Sequence, residues 1–170
     1  MIIVIMETQF IKLIIKGDLD KIRHFFINHN MENKITNYEH IIAYACESGH
    51  LMVAKWIFEI KPNINISYDD ETIFRSVCEF GKLDVAKWLL EIKPNINISI
   101  NDEEAFRFAC KRGELEMAKW LLDVKPNIDI GACANYAFIM SCENQRFNVA
   151  LWLATKKSKI QNNYRLYIWL

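Results

Sequence analysis

The side chains of this chain best suited to chemistry are four histidines, five cysteines and two acidic runs. His24 and His29 are five apart, a poor spacing for two ligands on one helical face. With His40 and His50 they give no metal-ligand pattern, and no metal site is expected. Cys46, Cys78, Cys110 and Cys142 recur in register, while Cys133 stands off that series. No Cys-x-x-Cys pair occurs, so a thiolate zinc site has no support. Asp69-Asp70-Glu71 and Asp102-Glu103-Glu104 could form a metal or substrate site. Their better reading is the first turn of a helix, where the helix dipole favours negative charge. Gly-x-Ser-x-Gly, His-Glu-x-x-His and a phosphate-cradling glycine loop are all absent. Cys133 is the one candidate for an exposed, reactive thiol. The expectation is a protein that is not an enzyme, with no catalytic residues and no cofactor.

What positions these side chains is a repeat. Ala86-Lys-Trp-Leu-Leu-Glu-Ile-Lys-Pro-Asn-Ile-Asn-Ile-Ser99 returns nearly unchanged from Ala54 to Ser67 and from Ala118 to Gly131. Trp56, Trp88, Trp120 and Trp152 step by 32 (88 − 56), as do the four registered cysteines, Pro62, Pro94 and Pro126, and the glycines 17, 49, 81 and 113. A segment repeated at this period is a unit that stacks on copies of itself. Five units are expected, the first at Glu7–Asn28 and the last at Asn135–Lys156. Stacked columns put neighbouring cysteines about 8–10 Å apart, beyond the ~7 Å that a disulfide allows. All five should be unpaired, the column members acting as small buried apolar residues. The Trp column is read as filling grooves between neighbouring second helices.

Within a unit the pattern is helix, turn, helix, arm. Ile41, Ile42, Ala45 and Cys46 form one apolar helical face, and Leu51, Val53, Ala54, Ile57 and Phe58 a second. Gly49 ends the first helix. Lys61-Pro62 ends the second, since a residue before proline is pushed out of the helical region. Asn63-Ile64-Asn65-Ile66 alternates as a short extended arm. Asn37, Asp69 and Asn101 are N-cap types at the next helix start, and Asn101-x-x-Glu104 resembles a capping box. Gln145 takes the turn-glycine position in the last unit, at about 1–2 kcal/mol if the left-handed conformation is kept.

The totals agree with a single domain over residues 1–170. Its 52% hydrophobic content supports a sizeable core, and five Gly and three Pro argue against disorder. Twenty-one basic and twenty-one acidic residues balance, which argues against a nucleic-acid or anionic-membrane partner. The apolar opening Met1–Met6 lacks a basic n-region and is too short for a signal peptide or a span. A soluble intracellular protein, a monomer, is expected.

Ala45-Cys46-x-x-Gly49-His50-Leu51, Val53-Ala54-Lys55 and the arm Asn95-Ile96-Asn97 resemble an ankyrin repeat over about residues 7–156. The resemblance implies an all-α solenoid of stacked helix–turn–helix units with short arms. Three departures stand out. The unit has 32 residues, Thr72-Ile-Phe-Arg75 and its copies replace the family's Thr-Pro-Leu-His, and no glycine stands near Lys61, Lys93 or Lys125. With the Ile-, Asn- and Lys-rich composition these features look like the ankyrin arrays of giant DNA viruses, which would place the protein in host cytoplasm.

The resemblance implies a non-catalytic scaffold binding another protein on its concave face, formed by arm tips and first helices. The two residues before each turn glycine are contact positions in the family: here Glu47-Ser48, Glu79-Phe80, Lys111-Arg112 and then Glu143-Asn144, with Tyr68 and Ile100 at arm tips. Ser48, Phe80, Arg112 and Asn144 form one column, with Phe80 its only large apolar member. The tail, with Leu166, Tyr167, Ile168 and Trp169, is read as a capping segment over 157–170. The alternatives are an adaptor that recruits a second protein through that tail, or a structural component that self-associates through it.

Overall fold

The computed structural model describes residues 2–157; all of the capping segment after Lys157, its apolar tail included, lies outside the described residues. Ten helices follow one another in that span: α1 (Ile2–Lys16), α2 (Leu19–Asn28), α3 (Tyr38–Glu47), α4 (Leu51–Ile60), α5 (Tyr68–Glu79), α6 (Leu83–Ile92), α7 (Ile100–Arg112), α8 (Leu115–Val124), α9 (Ala132–Glu143) and α10 (Phe147–Lys157). They make five helix pairs, and Ile2–Met6 of the apolar opening belong to α1. The chain divides into two compact units, one ending at Asn97 and one beginning at Ile98.

In the first unit α3 packs against α1, α4 and α5, and α5 against α6. The buried face of α3 is Ile41, Ile42, Ala45 and Cys46, and that of α4 is Val53, Ala54, Trp56 and Ile57. Each fully buried isoleucine or valine contributes about 1.5–3 kcal/mol and each alanine methyl less than about 1, so the apolar stripes, not isolated helix propensity, hold these ten-residue helices. Two of the tryptophans, Trp56 and Trp88, lie between neighbouring second helices as read, whereas Trp152 meets Phe106 of a first helix. Trp56 of α4 meets Phe26 of α2 edge-on at 5.3 Å, and Trp88 of α6 meets Phe58 of α4 at 5.9 Å. In the second unit α7 packs against α8 and α9, and α9 against α10, with Trp152 tilted against Phe106 at 6.3 Å.

The turns follow the glycine column. Gly17 has φ +77° and Gly113 φ +93°, and at both a Cβ would collide with the unit that follows: 2.4 Å from the His50 ring, 2.7 Å from Arg146. Gln145 keeps the left-handed conformation, at φ +59°. The second helices end on Lys61, Lys93 and Lys125 at φ −139°, −142° and −132°. These prolines hold their preceding lysines extended, which is why no glycine is needed there. The arms are turns without strand pairing among the described residues. Their isoleucines alternate inward, with Ile64, Ile66, Ile96, Ile98 and Ile128 all buried.

Two expectations are corrected. Cys142 is exposed, unlike Cys46, Cys78 and Cys110; in the last pair Ser141 is the fully buried neighbour. Asp69 and Asn101 are not N-caps. Asn37 does cap α3, accepting the His40 N–H at 2.9 Å, but Asp69-Asp70-Glu71, Asn101-Asp102-Glu103 and Cys133-Ala134-Asn135 are all left-handed, with φ between 49° and 70°. Right-handed helix begins only after them. Asn101 and Glu104 join side chain to side chain at 3.1 Å, so no capping box forms.

Candidate partner-binding surface

A left-handed conformation costs about 1–2 kcal/mol per non-glycine residue, so three in a row need support. Glu71 supplies it. Its carboxylate accepts the Ser67 hydroxyl at 2.6 Å and the Asn97 backbone N–H, one arm further on, at 3.4 Å. Glu103 repeats this with Ser99 at 2.5 Å and Asp129 N–H at 3.4 Å, while Lys125 donates to the Ser99 hydroxyl. Glu39 accepts Asn65 N–H at 3.3 Å. Arg75 Nε donates to Asp70 O at 2.8 Å, and Arg107 Nε to Asp102 O at 2.7 Å. These guanidinium groups take carbonyls that the left-handed turn leaves open. Ser-x-x-x-Glu-x-x-x-Arg is thus a clamp that stitches one arm to the next. The last unit has Gly131, Asn135 and Ile139 at the three positions. Glu71 and Glu103 are 7% and 8% exposed, so the acidic runs are split: one member structural, the others at the surface.

The histidines also have structural partners. His50 pairs with Ile15 O at 2.8 Å, His29 with Phe25 O at 3.0 Å and His24 with Asn28 at 2.7 Å, while the His40 ring stands edge-on to Tyr68 at 6.1 Å. Among the described residues no three His, Cys, Asp or Glu side chains come together closely enough to hold a metal ion. Burial pushes the thiols of Cys46, Cys78 and Cys110 far above their ordinary pKa, which leaves them poor nucleophiles. Cys133 is exposed.

The candidate contact residues fall into the two units. In the first, Glu47 and Ser48 close α3 and are half-buried, Tyr68 opens α5 with 42% of its surface exposed, and Glu79 and Phe80 close α5, Phe80 being 40% exposed. Glu47 and Tyr68 line one groove, of about 260 Å³, with Glu39, His40, Tyr44 and Asp69; Ser48, Glu79 and Phe80 are not among its lining residues. In the second unit Ile100 and Lys111 are half-buried, and Arg112 and Asn144 are exposed. Lys111 lies over the Phe108 ring at 5.4 Å, and Arg107 over Tyr136 at 5.0 Å. Tyr44, Phe108 and Tyr136 also line this side of the first helices but lie outside the two positions before each turn. The signal they leave in the sequence is variation down a column: Tyr44 and Phe108 share one with Ser76, and Tyr136 shares one with His40, Thr72 and Glu104.

A family model described as ankyrin repeats in many copies matches residues 42–90 and again residues 74–122. No curated protein matches the chain. The two overlapping matches cover the second to fourth helix pairs, which are ankyrin repeats, and the fold is an all-α ankyrin-repeat solenoid. Ankyrin repeats generally mediate protein–protein interaction, and the family is typically non-catalytic. Among the described residues no helix is long and apolar enough to cross a membrane.

Proposed function

We propose that this ankyrin-repeat array is a scaffold that binds another protein through its arm tips and the exposed side of its first helices, and does no chemistry itself. The observation that carries the reading is Phe80. It closes α5 with its ring 40% exposed, in a column otherwise filled by Ser48, Arg112 and Asn144. The other members of the column are polar, so the solenoid does not need an apolar side chain at this position of every pair. Aromatic residues of this kind dominate interface energies, and the neighbouring Glu79 supplies a polar rim. Tyr68 and Glu47 in the first unit, and Ile100, Lys111, Arg112 and Asn144 in the second, extend the contact set. The resemblance to arrays of giant DNA viruses makes the partner a host protein met in host cytoplasm. Hydrogen exchange on a complex with a captured partner tests the face. Protection confined to the ends of α3 and α5 and the residues around Tyr68 and Ile100 is expected; protection confined to α4, α6 and α8 would overturn the assignment.

A further inference from the structure

The groove along α3 and the start of α5 has a chemistry of its own. Its lining brings together two exposed phenol rings, Tyr44 and Tyr68, the imidazole of His40, and the acidic side chains Glu39, Glu47 and Asp69. No lysine or arginine lines it. The nearby Arg75 is committed to the carbonyls of Asp69 and Asp70 and to the Thr72 hydroxyl. Among the described residues no three His, Cys, Asp or Glu side chains gather as a metal site, and the three acids stand at separate points of the lining, on the first and last turns of α3 and at the start of α5. At about 260 Å³ the space falls short of the about 300–1,000 Å³ of a small-molecule site; it suits one side chain of a larger partner. Rings that present a π-face and carboxylates that offer bidentate hydrogen bonds share one complementary group, a desolvated organic cation.

We infer that this groove takes an arginine or lysine side chain of the protein partner, the stem lying against Tyr44 and Tyr68 and the charged head reaching Glu47 and Glu39. The inference rests on the first-helix side being the binding face, and it commits that face, in the first unit, to a basic segment. A cation held over exposed rings and flanked by acids at the surface loses affinity as salt rises.

The test uses the full chain, isotope-labelled, and two nine-residue Gly/Ser peptides that differ only at the centre, one with arginine and one with its neutral isostere citrulline. The arginine peptide, titrated into the millimolar range, should shift resonances of Tyr44, Tyr68 and Glu47, and the citrulline peptide should not. Tyr68→Ala and Glu47→Gln should each weaken the arginine peptide about three- to tenfold, with melting temperatures little changed, because Tyr68 is exposed and the half-buried Glu47 is replaced by a side chain of the same size. Equal shifts from the citrulline peptide, no shifts from the arginine peptide, or binding that neither variant alters would each overturn the cation assignment. These outcomes are independent of Phe80: a partner weakened by Phe80→Ala alongside a silent arginine peptide removes the cationic ligand and leaves the binding face standing.

Discussion

Replacing Glu103 by glutamine should destabilise the second unit, whereas replacing Asp102 by asparagine, one residue earlier in the same acidic run, should not. Glu103 is 8% exposed and accepts the Ser99 hydroxyl at 2.5 Å and the Asp129 N–H at 3.4 Å. Hydrogen bonds to a charged group contribute about 1.5–3 kcal/mol each. The bond to Asp129 is at the long limit and counts for little, and a glutamine oxygen keeps part of one interaction. The loss is therefore about 1–2 kcal/mol. For a chain of this size each kcal/mol moves the midpoint by about 2–4 °C, so thermal unfolding should come about 2–8 °C earlier. Asp102 is exposed, and its replacement should stay within about 0.5 kcal/mol. A double-mutant cycle with Ser99→Ala should return a coupling near 1 kcal/mol. If the acids merely complemented a helix dipole, both substitutions would lose a similar ~0.3–1 kcal/mol. Equal effects, with no coupling to Ser99, would refute the clamp.

In native protein Cys46, Cys78 and Cys110 should label slowly with iodoacetamide, since burial raises their thiols, while the exposed Cys133 and Cys142 label first; peptide mapping of the adducts checks the order. Gln145→Gly should stabilise by about 1 kcal/mol, because glycine accepts the φ of +59° at that turn more easily than glutamine does, read as a raised midpoint in urea. Gly17→Ala should destabilise by about 1–3 kcal/mol, as the added Cβ meets the His50 ring at 2.4 Å and overpacks the turn; an unchanged melt would show that the ring moves freely aside.

The helix pairs and their inward faces are legible in the sequence because the same apolar positions recur every 32 residues, and a column of identical types has only one consistent orientation in a stack. Trp56 and Trp88 follow for the same reason. What escapes is set by hydrogen bonds between residues 26 apart, such as Glu71 with Asn97, a separation that no local pattern announces. Asp69 and Asn101 read as caps because cap preference and tolerance of the left-handed region belong to the same residue types, and only the backbone tells them apart. Cys142 followed the column average, yet the last pair departs from its copies at Gly131, Asn135 and Ile139 as well. On the candidate surface, Tyr68 and Phe80 stand out by variation within the repeat, whereas the meeting of Tyr44 and His40 with Tyr68 in one groove comes into view only when α3 and α5 are placed side by side.

The central claim is that this array binds a protein through the side of the first helices where Phe80 is exposed. Its most direct test is a titration of a purified partner with wild type and with Phe80→Ala, each accompanied by a thermal melt. The claim predicts that Phe80→Ala weakens binding by about 2 kcal/mol or more, a hot-spot magnitude of roughly thirtyfold in Kd. The melt should shift by far less than the about 3–5 kcal/mol that truncating a fully buried phenylalanine removes. Binding that holds while the melt collapses would place Phe80 in the core and contradict the assignment of the recognition face.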